Sequence, residues 1–230
     1  MNIFDIIGPV MTGPSSSHTA GAVRIGRMAY ALCGSISEQV LIELHGSFAD
    51  TGLGHGTDCA LLAGLLGLDI DSPDLHLAGE LAKQAGLAYT FKSVCIPEAH
   101  PNTARITAQA RDGGNHVITG SSIGGGNILI VELDGYEVEF SGSLPTVIAI
   151  YRDQPGMIAL MADIFGRYKI NIATMRVSRK MRGEQAVGVI ETDQVLSSKI
   201  VAELKAIDGL NEIRLLPAIV GGGISCTQMA

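Results

Sequence analysis

Tryptophan is absent from this chain of 230 residues and aromatic residues make up 4% of it, so its interior must be built from aliphatic and small side chains. Hydrophobic residues at 47% are enough for a proper core, in one large or two small domains, and two is the expectation. Positive charge is scarce. Sixteen Lys and Arg stand against 23 Asp and Glu, the formal net charge is -7, and no basic run occurs, which excludes a nucleic-acid backbone as a partner. No stretch approaches about 20 apolar residues, so no membrane partner is expected. The opening Met1-Asn2-Ile3-Phe4-Asp5 lacks the basic region and apolar run of a signal peptide, and the expected location is cytoplasmic.

Cysteine is also sparse. Cys33, Cys59, Cys95 and Cys226 are scattered singly, without the C-x-x-C spacing of zinc sites or the clustered thiolates of iron–sulfur centres, so no metal is expected on this chain itself. Three of the four read as small buried hydrophobes, and Cys226 lies in a Gly-rich tail, 218–230. Three catalytic signatures are missing too: the G-x-S-x-G nucleophile elbow, the lysine of a phosphate-binding P-loop, and H-E-x-x-H.

What is present is a set of glycine- and serine-rich segments carrying single histidines. Gly13-Pro14-Ser15-Ser16-Ser17-His18-Thr19-Ala20-Gly21 reads as a loop feeding the amino end of a helix spaced on Ala22, Ile25, Ala29 and Leu32, with Ser17 or Thr19 as cap. Such an end offers unpaired N–H groups and a positive partial charge, here ringed by hydroxyls, and suits a small carboxylate or phosphate. Gly52-Leu53-Gly54-His55-Gly56-Thr57-Asp58 repeats the pattern as a loop before the apolar helix Cys59 to Leu66, capped by Thr57 or Asp58. His100-Pro101-Asn102-Thr103 forms a third such loop. His45 is a weaker candidate, and His76 and His116 read as surface residues. Any one of these histidines alone could be a loop residue or a structural hydrogen-bond partner, but three in one half of the chain suggest an imidazole-lined anion pocket that lacks an electrophile.

From Thr103 onward hairpins prevail, turning at Asp112 to Asn115, at Ser121 to Gly126 and at Asp134-Gly135. Ser141 to Pro145 reads as a linker. The remainder, from Thr146, has the order βαββαβ of ferredoxin-like domains. Within it, Asp153-Gln154-Pro155-Gly156 and Asn171-Ile172 resemble the ACT domain, a module that binds amino acids or pairs with a second copy across a sheet edge. That likeness makes Gly156, Asn171 and Ile172 the candidate effector residues.

Phe4 to Met11, Gly13 to Gly21, Gly54 to Asp58, His100 to Thr103 and Ser122 to Gly126 together resemble the β subunit of bacterial iron–sulfur-dependent L-serine dehydratases. The resemblance implies an α/β (α+β) architecture: a mixed α/β domain over 1–144, similar to the regulatory substrate-binding domain of some phosphoglycerate dehydrogenases, then an ACT domain over 146–217. It implies deamination of L-serine to pyruvate and ammonia without pyridoxal phosphate, and a partner α subunit that ligates a [4Fe–4S] cluster. It further implies that His18, His55 and His100 transfer protons and orient substrate, and that Ser15, Ser16, Ser17, Thr19 and Asn102 bind it. Which histidine is the base stays open, and Cys226 falls outside the family's pattern. The competing reading is an ACT-type amino-acid sensor whose first domain only relays the signal; a hydrolase built on Ser17 and His18 is a distant third.

Overall fold

The computed structural model describes residues 9–35, 37–110 and 113–219. The chain divides into two compact units between Asp134 and Gly135.

In the first unit, a π-helical turn, Ser16–Gly21, runs directly into α1, Ala22–Cys33. Strand β1, Gln39–His45, follows, with every second residue (Val40, Ile42, Leu44) buried. Two short helices come next, α2, Ser47–His55, and α3, Thr57–Leu65. A 3-10 turn, Pro73–Leu77, leads to α4, Ala78–Gln84, and β2, Ala88–Val94. Strands β3, Thr103–Gln109, β4, Asn115–Gly124, and β5, Asn127–Leu133, complete the unit. They lie in the order β2-β1-β3-β4-β5; β1 and β2 are parallel and the rest antiparallel. The core joins Val40, Ile42, Ile106, Ile118 and Ile130 of the strands to Val23, Ile25, Met28, Leu61 and Leu65 of the helices.

Helices α1 and α3 touch backbone to backbone. A Cβ on Gly26 would stand 2.3 Å from the Leu61 carbonyl oxygen and one on Gly64 2.1 Å from that of Val23, so only glycine permits the crossing. Beside it Arg27, 1% exposed, is neutralised by Asp69 at 2.7 Å, because a buried guanidinium must be paired.

The second unit contains β6, Tyr136–Phe140, then β7, Thr146–Arg152, α5, Met157–Arg167, β8, Ile172–Arg179, β9, Gln185–Thr192, α6, Ser198–Lys205, and β10, Leu210–Leu216. From β7 onward this is the βαββαβ order read from the sequence, and the antiparallel sheet β10-β7-β9-β8 has the ferredoxin-like strand arrangement. Val147, Ala149, Tyr151 and Ile190 of the sheet pack on Met161, Phe165, Ile200 and Leu204 of the two helices. Expected and observed fold class agree.

Local expectations differ in five places. The segment Ser16 to Gly21 is helical rather than a loop, and its cap is Ser15, whose hydroxyl accepts from the His18 N–H at 3.1 Å. His55 closes a helix instead of sitting in a loop; tertiary contacts override the poor helix propensity of Gly52 and Gly54. Gly56, with a left-handed backbone and no side chain to offer, caps α3 in place of Thr57 or Asp58. Strand β4 continues through Ser121 and Ser122 to Gly124, where the sequence suggests a turn. Cys95 is exposed just past the end of edge strand β2, while Cys33 and Cys59 are half-buried. The first part of the Phe4 to Met11 motif and Cys226 lie outside the described residues.

Candidate functional site

The α-helical repeat places Ser47, Thr51 and His55 of α2 at intervals of four, on one face. That face meets the π-helical turn. His18 Nε2 lies 3.2 Å from both the Ser47 and the Thr51 hydroxyl, and the imidazole rings of His18 and His55 stand 4.8 Å apart. Phe48, fully buried, presents its ring edge-on to His18 at 5.3 Å.

The hydrogen bonds assign the protons. The Thr51 carbonyl can only accept, so His55 Nδ1, 3.0 Å away, carries the N–H, and in the neutral ring Nε2 keeps the lone pair. Thr51 Oγ1 gives its one proton to the Ser47 carbonyl at 2.9 Å and must accept from His18 Nε2–H, which leaves His18 Nδ1 bare. Burial lowers the His18 pKa below its ordinary value; the neighbouring His55 acts in the same direction and the contact at Ser47 opposes it. His18 is therefore neutral at pH 7.

The remaining candidates gather around this pair by backbone contact. Pro101 is wedged against Gly46, where a Cβ would meet its carbonyl oxygen at 2.7 Å, and that oxygen accepts from the Phe48 N–H at 3.4 Å. The next carbonyl, Asn102, accepts from the Ser122 N–H at 2.9 Å. Ser122 in turn presses on the π-helical turn, since a Cβ on Gly21 would lie 2.1 Å from its hydroxyl. The His100 imidazole faces its own loop, Nδ1 accepting from the Asn102 N–H at 3.1 Å. Ser15, Ser16 and Ser17 are half-buried on the turn. Thr19 Oγ1, Asn102 Oδ1 and Ser122 Oγ are buried without a hydrogen-bond partner among the described residues.

A family model described as "Serine dehydratase beta chain" matches residues 2–88. The "Probable L-serine dehydratase, beta chain" of Bacillus subtilis (strain 168) is 42% identical over 212 residues, covering 92% of this chain and 96% of that one. The chain belongs to the L-serine dehydratase β-chain family. A second member, the "L-serine dehydratase, beta chain" of Peptoniphilus asaccharolyticus, is 36% identical, covering 89% of this chain and 93% of its own. The relation to dehydrogenases expected for the first domain also appears: the "D-3-phosphoglycerate dehydrogenase" of B. subtilis is 28% identical over 85% of this chain but 37% of its own length.

The sequence assigns no role to four further residues of the site. Ser47 and Thr51 were signalled by the four-residue spacing that ends at His55. Ser122 opens the Ser122 to Gly126 motif that carries the family resemblance, which gives it no role of its own. Arg24, 4% exposed, fastens the Ser121 to Gly126 segment to α1 by donating to the Gly126 carbonyl at 2.6 Å, and nothing in one dimension signals a bond across 102 positions.

In the second unit, Gly156 caps α5 with a left-handed backbone, and a Cβ there would meet nothing within 4 Å. Asn171 donates its side-chain amide to Asp193 at 2.7 Å, and Ile172 opens β8. Asp153, in the turn before α5, accepts from the Gly183 N–H and from Arg179, which hold its carboxyl below the usual range.

Proposed function

We propose that this chain works as the β subunit of an L-serine dehydratase, deaminating L-serine to pyruvate and ammonia with an α subunit that bears a [4Fe–4S] cluster and without pyridoxal phosphate. One observation carries the reading beyond family membership. The π-helical turn and α2 hold His18 and His55 side by side, each with a fixed tautomer and at least one bare nitrogen.

Among the described residues the donor set does not fit an iron–sulfur cluster. Among the described residues no group of three or more His, Cys, Asp or Glu could hold a metal, and Cys33, Cys59 and Cys95 sit on α1, on α3 and beyond β2. A cluster would belong to the partner, and no step below runs through it. His55 Nε2 takes the Cα proton, because its Nδ1 is committed to the Thr51 carbonyl and backs the imidazolium as it forms. His18, kept neutral, avoids placing a second positive charge 4.8 Å from that ring. Thr19 and the π-helical turn carrying Ser15, Ser16 and Ser17 position the substrate carboxylate, to which the unpartnered Thr19 hydroxyl can donate, while Asn102 Oδ1, which can only accept, takes a hydrogen bond from the substrate's ammonium or hydroxyl group. His100 orients the Asn102 loop through its bond to the Asn102 N–H.

The domains follow the same reading, with the dehydratase β domain over 1–144 and an ACT domain over 146–217 that pairs copies or senses an amino acid through Gly156, Asn171 and Ile172. No helix among the described residues is long and apolar enough to cross a membrane.

The test is reconstitution. Mixed anaerobically with the α subunit, the chain should form pyruvate from L-serine. His55→Ala should lower kcat by about 10² to 10⁴, the usual worth of a general base, and Thr51→Val by about tenfold, since it removes one hydrogen-bond acceptor. Unchanged turnover in His18→Ala, His55→Ala and His100→Ala alike would overturn the assignment.

A further inference from the structure

The side of α2 turned away from Ser47, Thr51 and His55 borders a second feature. A cavity of about 160 Å³ opens between α2, the first turn of α3 and the edge strand β2. Leu44, Phe48 and Phe91 supply its larger apolar lining. Ala49 of α2 and Ser93 of β2 line it as well, and Asp58 contributes the carboxylate. Lys92 also borders the space through its place in β2, but strand alternation sends its side chain to the opposite face of the sheet, beside its register partner Glu43.

Asp58 makes no hydrogen bond or ion pair among the described residues, although it is half-buried. A carboxylate drawn partly out of water beside an aromatic ring, with no cation paired to it among the described residues, favours a cationic ligand. Phenyl faces also attract an ammonium group. At about 30 Å³ per water-sized volume, the cavity accommodates roughly five non-hydrogen atoms.

We infer that this cavity binds a small primary ammonium compound, its charge on Asp58 and its carbon body against Phe91, with the buried Phe48 behind the wall. The site is separate from the histidine pair but joined to it, because Phe48 forms a wall of the cavity and also stands edge-on to His18. A ligand pressing on Phe48 alters the surroundings of His18. The binding claim is independent of the proposed catalytic function; the regulatory consequence rests on that function.

Titration of the full chain with n-propylammonium, followed by calorimetry and by the His18 ring resonances, tests both parts. Saturable binding is expected, with displacement of the His18 signals, and neither propionate nor n-propanol should compete. Asp58→Asn should weaken binding about tenfold or more, the worth of a charge-assisted hydrogen bond. Ala49→Leu fills the cavity while leaving the carboxylate in place, and should abolish binding; circular dichroism verifies that both variants are folded. His18→Ala with His55→Ala should retain binding, so loss of turnover and loss of this site are told apart. Absence of saturation, equal binding of propionate, or unchanged affinity in Asp58→Asn would overturn the site, and binding without movement of the His18 resonances would overturn the coupling.

Discussion

His18 is neutral because its surroundings disfavour a proton, and this sets a direction for pH dependence. Its folded-state pKa lies below the ordinary histidine value of about 6.5. On acidification the unfolded chain takes up a proton at this residue first, so the contribution to stability is lost as pH falls through about 6.5 and is constant above it. Urea midpoints between pH 5 and 8 should accordingly fall on the acid side, and His18→Asn should flatten that limb. At this scale the sequence was informative about identity and silent about partners. His18 and His55 stood out because small residues surround them. Ser47 and Thr51 did not, because their role depends on α2 being a helix, and its glycines argued against one.

Among the elements, the crossing of α1 and α3 is the least forgiving. Gly64→Ala would set a methyl group 2.1 Å from the Val23 carbonyl oxygen, and Gly26→Ala one 2.3 Å from that of Leu61. Backbone atoms cannot rotate aside as a side chain can, so each substitution should cost about 3 kcal/mol, on the order of 5–10 °C in Tm by scanning calorimetry. Gly54→Ala, with nothing within 4 Å, is the control and should leave Tm unchanged or raised, since alanine favours helix. The apolar spacing of α1 and the aliphatic run of α3 were both legible. That they meet at two glycines was not, because a close approach leaves no periodic trace in either segment.

For the whole molecule, the change of grammar after Ser141 to Pro145 was the clearest signal in the chain. A βαββαβ order, with alternating strands and two amphipathic helices, determines its own strand arrangement, since few topologies satisfy right-handed crossovers with four strands. The first unit was harder to read, because a sheet that mixes one parallel pair with antiparallel neighbours has no such short signature. A polypeptide of residues 135–219 contains the entire Val147 to Leu204 core and should fold alone, with a cooperative thermal transition by circular dichroism. A featureless, non-cooperative melt would refute its independence.

The π-helical turn, finally, makes the length of the chain as binding as its chemistry. A wide turn holds one more residue than the α-helix it interrupts, so the position of His18 depends on a count of residues between Ser15 and α1. Replacing a serine there changes one contact. Removing one would restore the ordinary helical repeat, swing His18 by about 100° around the axis and aim it away from Ser47 and Thr51. Over evolutionary time this stretch should therefore accept substitutions more readily than insertions or deletions.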